Sequence, residues 1–182
     1  MAHGIFQLKI VTQGLKPAIW RRALVSSHAS LQTLHHIIMV LFGFESYHLF
    51  EFSDMGDTAH YNDIKLSTAF KWTPVLHYTY DFGDRWEFKI TLEKTVQKNP
   101  SASYPCCIQF KGGMMLEDCG GEYGFKITSD WCRLKTVASK KILLDYYAGD
   151  EEMLEQYVDF NPDFFDLNDV NQALMTHCGV GD

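Results

Sequence analysis

No stretch of the chain reaches the roughly 18 consecutive apolar residues that a membrane-spanning helix needs. Its first residues, Met1-Ala2-His3-Gly4, lack the basic start and long apolar core of a secretory leader, so a cytoplasmic protein with no membrane partner is expected. The five cysteines include no C-x-x-C pair and, being odd in number, cannot all pair with one another. Adjacent Cys106-Cys107 suits neither an ordinary disulfide nor zinc-finger spacing. Reduced, mostly buried thiols are the expectation. There is no G-x-x-x-x-G-K-[ST] and no G-x-G-x-x-G, which leaves Gly112, Gly113, Gly120 and Gly121 as turn glycines rather than a phosphate cradle. With no internal repeat and no interdomain linker, 182 residues form one domain, 1–182.

Basic residues are also missing from Asp145 to Asp182, which hold ten Asp/Glu and no Lys or Arg. All sixteen Lys/Arg lie in residues 1–144, against thirteen Asp/Glu, so a net charge of −7 conceals a slightly basic body and an acidic end. A solvated acidic helix face is the expectation for that end. Otherwise the composition, 46% apolar and 21% charged, is that of an ordinary soluble globular protein. Its 13 Phe, 9 Tyr and 4 Trp are the material for a core or a binding surface.

Along the chain, Ile5 to Thr12 alternate as a half-buried strand, Gly14 to Pro17 turn, and Ala18 to Val25 return. A helix follows, with Ser30 as N-cap, Leu31, Leu34, Ile38 and Leu41 on one face, and Gly43 as C-terminal stop. Tyr47 to Phe52 are expected as a strand before an Asp54/Gly56/Asp57 turn. In the central hairpin, Tyr78, Tyr80 and Phe82 share one parity with Trp86, Phe88, Ile90 and Leu92, and Gly83 is expected to supply the positive φ of a tight turn. A polar loop over 95–105, a short strand from Cys106 to Phe110, and a largely helical acidic C-terminal third punctuated by Pro162 and Asn168 complete the chain. Strand, strand, helix, strand is the opening order of a β-grasp-like α+β domain, an antiparallel or mixed sheet with a helix on one face.

Several separated segments resemble the plasmid pRiA4b Orf3-like family. They are Ile19-Trp20-Arg21-Arg22, Leu34-His35, Gly43-Phe44 with His48-Leu49-Phe50-Glu51-Phe52, and Tyr80-Asp81-Phe82-Gly83-Asp84 with Trp86 and Glu93. Glu117-Asp118-Cys119-Gly120-Gly121, Phe160-Asn161-Pro162, Phe164-Phe165-Asp166 and Val170-Asn171 continue the likeness, which spans about residues 4–174. The resemblance implies an α+β domain, no particular reaction, and an association with mobile elements through insertion-element passenger relatives. Two departures stand out. The family often carries His where this chain has Phe88, and a Cys-Pro-Pro-like run where it has Met114-Met115-Leu116.

The candidate polar site is Asp81, Asp84, Glu117 and Asp118, with His48. Several carboxylates suit a hard divalent cation that could position phosphate or activate water, and they are the low-grade metal candidates of the chain. Equally, Asp81, Asp84 and Asp118 can serve backbone N–H groups in their turns. His35 lies at the edge of the helix face and could meet His48; Cys119 beside two acids makes a poor thiolate. Trp20, Arg21 and Trp86 are the candidate binding residues, since Arg contacts phosphate and Trp stacks on bases, but the net charge disfavours nucleic acid. The expected function is a binding or accessory module for a protein or small ligand, with no cofactor other than an optional divalent cation. A metal-dependent hydrolase using the acidic cluster and a nucleic-acid-binding protein are the alternatives.

Overall fold

In the computed structural model of the chain, which describes residues 4–55, 60–71 and 73–179, the apolar alternation produces a hairpin of β1 (Gly4–Thr12) and β2 (Trp20–Ser26). Leu8 and Ile10 on β1 and Ala23 and Val25 on β2 are buried, while the residues between them face outward. The helix α1 (Leu31–Phe42) begins where the Ser30 hydroxyl accepts the Thr33 N–H at 3.0 Å. It ends at Gly43, whose φ of 87° is the left-handed stop that a residue without Cβ adopts without strain. Leu34, Ile37, Ile38 and Leu41 are fully buried, each stabilising the fold by about 1.5–3 kcal/mol relative to exposure.

Four more strands follow, β3 (Phe50–Phe52), β4 (Val75–Tyr80), β5 (Trp86–Gln97) and β6 (Cys106–Lys111). They join the first hairpin in one six-stranded sheet of order β3-β4-β5-β1-β2-β6, antiparallel in every pairing. The sheet is therefore not the mixed alternative, and these pairings do not establish a β-grasp arrangement. The remaining helices are the short α2 (Leu66–Ala69), then α3 (Gly121–Leu134), α4 (Val137–Tyr146), α5 (Glu152–Tyr157) and α6 (Leu167–Cys178). The acidic end is helical as expected. On α5, Leu154 and Tyr157 are buried in a second small core with Ile127, Trp131 and Leu143, and Glu152 and Glu155 face water.

Several local expectations are corrected. The strand expected from Tyr47 is only Phe50–Phe52, because Ser46 takes a left-handed φ of 68° and the following residues are held by side-chain bonds instead. Of the turn after it, Asp54 lies in a 3-10 turn (Ser53–Met55), and Gly56 and Asp57 fall outside the described residues. In the central hairpin the positive φ falls on Asp81 (55°) and Arg85 (56°), not on Gly83. The turn is longer than a two-residue loop, with the Arg85 N–H donating to the Asp81 carbonyl at 2.6 Å. Asp81 tolerates its conformation because its own carboxylate accepts the Gly83 N–H at 2.8 Å. Phe82 consequently leaves the core parity and is exposed. Asn168 lies in the first turn of α6, and the stop before it is Asp166, which caps Asn168 and Asp169.

All five cysteines are free, with Cys107, Cys119 and Cys178 buried. Among the described residues, no helix is long and apolar enough to cross a membrane.

Candidate functional site

Three loops meet at one end of the sheet: residues 43–49 after α1, the turn 81–85 between β4 and β5, and residues 114–120 before α3. Tyr80, the last residue of β4, stands at their junction. Its ring packs on Phe44 at 5.1 Å between centroids, with His48 at 5.8 Å and His35 at 6.0 Å on other sides. Its hydroxyl donates to Glu117 Oε1 and accepts the His48 backbone N–H. Glu117 Oε2 accepts the Glu45 N–H at 2.7 Å, so both oxygens of this carboxylate anchor loops. Burial and the Glu117 bond raise the Tyr80 phenol above its ordinary pKa, keeping it a donor.

Asp84 has a similar duty. Its Oδ2 accepts the N–H groups of Cys119 at 3.1 Å and Gly120 at 3.2 Å, which fastens the third loop to the hairpin turn. Between these two anchors, Asp118 adopts a φ of 50°. The chain is thus clamped immediately before and after Asp118.

What remains is a cluster of three. His48 Nε2 lies 3.1 Å from Asp118 Oδ1 and 3.6 Å from Asp81 Oδ2. One ligand atom from each of the three falls within 4.8 Å of the others. The other oxygen of each carboxylate is occupied: Asp81 Oδ1 by the Gly83 N–H, Asp118 Oδ2 by the Tyr47 hydroxyl at 2.6 Å. That bond is the main cause of the raised Tyr47 pKa. The side chains grade from buried Asp81 (9% exposed) through His48 (26%) to Asp118 (58%), so the cluster opens to solvent on one side.

Of the five expected site residues, the structure brings His48, Asp81 and Asp118 together, commits Asp84 to two backbone N–H groups, and commits Glu117 to the Glu45 N–H and the Tyr80 hydroxyl. Tyr47 and Tyr80 were not legible as members, although a Tyr at the end of an apolar strand needs a partner for its hydroxyl. His35 does not meet His48. It is buried, stacked on Phe50 at 3.8 Å, and bonded to the Tyr78 hydroxyl and Ser46 Oγ, each at 2.7 Å. Burial, with a smaller effect of His36, lowers its pKa to about 3, so the ring is neutral.

The other candidate set disperses. Arg21 is fully buried, its guanidinium bonded to the carbonyls of Trp20, Leu41, Lys111, Gly112 and Gly113. Most of its donors are committed to these carbonyls, and with the residue 0% exposed none can reach a phosphate. Trp86 is buried against Phe44 and Phe125. Trp20 faces the outer side of the sheet beneath Lys9 and Arg22. Cys119 is buried, and that burial, followed by the Asp84 charge, pushes its thiol up to about 12, far from nucleophilic range. A cavity of about 900 Å³ lies elsewhere, between the start of α1 and the 98–105 loop, and none of the expected site residues lines it.

A family model described as plasmid pRiA4b ORF-3-like protein matches residues 4–169. The chain is similar to uncharacterized protein y4hQ of Sinorhizobium fredii (strain NBRC 101917 / NGR234), 28% identical over 140 residues that cover 69% of this chain and 72% of that protein. It is also similar to the crystal structure of a protein of unknown function, MM3350 from Methanosarcina mazei Go1. There the TM-score is 0.73 at 29% identity, covering 93% of this chain and 97% of the other.

Proposed function

The chain belongs to the plasmid pRiA4b ORF-3-like protein family, and from that premise we propose that it is a non-catalytic binding module whose site, His48 with Asp81 and Asp118, holds a divalent cation. The observation that carries this reading is the division of labour within each carboxylate. One oxygen is fixed by a protein donor and the other is turned toward His48 Nε2. Metal ligands are oriented in this way by outer hydrogen bonds. Two ligands each about 2.1 Å from a metal stand about 3.0 Å apart at right angles and about 3.4 Å apart at the tetrahedral angle. The His48 distances of 3.1 and 3.6 Å are close to that spacing. One imidazole nitrogen with two carboxylate oxygens suits manganese, cobalt or zinc better than magnesium or calcium, which prefer all-oxygen shells.

Isothermal titration with zinc, manganese and magnesium chlorides tests the proposal. Binding of manganese or zinc tighter than magnesium, lost in both Asp81→Asn and His48→Ala, is expected. Absence of heat with all three, or affinity unchanged in both variants, would falsify it.

Burial pushes the Cys119 thiol up to about 12 and the Cys178 thiol up to about 11, which argues against a thiol nucleophile. A second reading, a metal-dependent hydrolase, is favoured by one feature. Three protein ligands leave coordination positions open, as in catalytic rather than closed structural sites. Manganese-dependent turnover of a phosphate ester, absent in Asp81→Asn, would select it. Buried Arg21 weighs against nucleic acid as the partner. Five unpaired cysteines favour a reducing, cytoplasmic setting.

A further inference from the structure

Each side chain of the cluster borders a large apolar one that the core does not use. Tyr47 and Leu49 flank His48, and Phe82 follows Asp81. They are 57%, 73% and 53% exposed. Single exposed apolar residues on a protein surface are ordinary. The Asp81 N–H donates to the Leu49 carbonyl at 2.9 Å, which sets the turn bearing Phe82 beside the segment bearing Leu49, and the Tyr47 and His48 rings sit 4.4 Å apart. Neither Leu49 nor Phe82 is in the core.

The loops around this apolar collar are mostly acidic. The three loops that build the corner, residues 43–49, 81–85 and 114–120, contain five Asp/Glu and a single Arg or Lys, Arg85. Arg85 is tied to Glu87 at 2.8 Å. Glu45 on the first loop and Glu51 on β3 just beyond it are exposed. A dication in the cluster offsets two of the five charges and leaves the collar acidic.

We propose that this corner docks a basic protein segment, one presenting Lys or Arg beside apolar side chains, with Tyr47, Leu49 and Phe82 as the apolar contacts. Acidic surroundings steer a cationic segment to the collar, and the three side chains supply the short-range burial that makes the contact more than charge attraction. Tyr47 and Phe82 additionally offer ring faces to the incoming cations. Nucleic acid, with its phosphates, is repelled by the same carboxylates. The proposal rests on the position of the corner and not on the cation reading, so the two fail separately.

The test uses the full chain and fluorescein-labelled synthetic peptides of alternating Lys-Leu, Lys-Ser and Glu-Leu, followed by anisotropy at about 50 and about 300 mM NaCl. The Lys-Leu peptide is expected to bind at least about tenfold tighter than Lys-Ser, and Glu-Leu not at all. The double variant Leu49→Ser/Phe82→Ser keeps every charge and is expected to lose that advantage while its manganese or zinc titration stays unchanged. Val137→Ser, at an 88% exposed position on α4, is expected to bind as the parent does. Both changed sites are on the surface, so an unaltered melting temperature certifies the fold. Equal binding of Lys-Leu by the parent and the double variant overturns the proposal, as does a preference for Glu-Leu or no Lys-Leu binding at all.

Discussion

The carboxylate of Asp84 accepts the backbone N–H of Cys119 at 3.1 Å and so binds the β4–β5 turn to the residue that follows Asp118. A second bond to the Gly120 N–H makes the attachment two-pronged. Asp84 is therefore a positioning residue that touches no other member of the cluster. Asp84→Ala strands two backbone donors and is expected to cost about 1–3 kcal/mol in urea denaturation. It should also weaken cation binding. Asp84→Asn retains an acceptor oxygen and should lie between Ala and the parent on both measures. An Ala variant with parental stability and parental cation affinity would remove Asp84 from this role.

Arg21 offers a sharper contrast between a charge that binds and a charge that builds. Its donors reach five carbonyls on β2, the last turn of α1, the last residue of β6 and the two residues after it, while Phe42 and Phe165 pack on the guanidinium at 4.9 and 4.1 Å. Burial lowers its pKa to about 10, which still leaves it charged at neutral pH. Substituting an apolar residue cannot be neutral here, because the carbonyls would remain dry and unpaired. Arg21→Met is expected to cost about 3–5 kcal/mol, and Arg21→Lys, with a charge but no planar fork, nearly as much. Chemical denaturation decides it, and a Met variant within about 1 kcal/mol of the parent would contradict the account.

These two residues also mark where the sequence stopped being informative. Strand alternation, the Ser30 cap and the Gly43 stop are local signals, and β1, β2, α1 and the strands of the central hairpin, though not its turn, follow them closely. Asp81 as a turn residue bonding its own backbone was likewise local, and correct. The register of sheet order and the destinations of Asp84 and Glu117 were not local. Both depend on residues more than thirty positions away, so five polar candidates looked equivalent in the sequence although only His48, Asp81 and Asp118 converge. Arg21 was misjudged for a related reason. The alternation of β2 puts it on the buried face between Trp20 and Arg22, but an arginine seldom enters a core unless partners are supplied from elsewhere.

Two glycines with similar backbones separate strain from contact. Gly121 (φ 65°) begins α3 so close to the turn that a Cβ would stand 2.2 Å from the Asp84 carbonyl oxygen. Gly149 (φ 85°) has nothing within 4 Å of a Cβ. Gly149→Ala should therefore cost about 1 kcal/mol of conformational strain alone. Gly121→Ala should cost at least about 2 kcal/mol more, because backbone must move backbone, and should loosen the Asp118 loop as well. Equal melting temperatures for the two variants would mean that the close approach of Gly121 to Asp84 is not a constraint.

His35 predicts a specific acid sensitivity. Its folded pKa is lowered to about 3, chiefly by burial, whereas an unfolded histidine titrates near 6.5. Between those values the unfolded chain binds a proton that the folded chain refuses, so stability is complete above about pH 6.5 and falls as pH drops. The slope from this one residue approaches about 1.4 kcal/mol per pH unit. His35→Gln keeps a donor and an acceptor for Tyr78 and Ser46 but has no proton to take up. Urea midpoints measured from pH 7 down to pH 5 should therefore decline more steeply for the parent than for His35→Gln, even where the variant is less stable at pH 7. That window lies above the carboxylate titrations, and Glu93 and Asp163, both lowered by arginine partners, lose their contributions only at still lower pH. Parallel pH profiles would show that the ring is protonated within the fold, which its burial argues against.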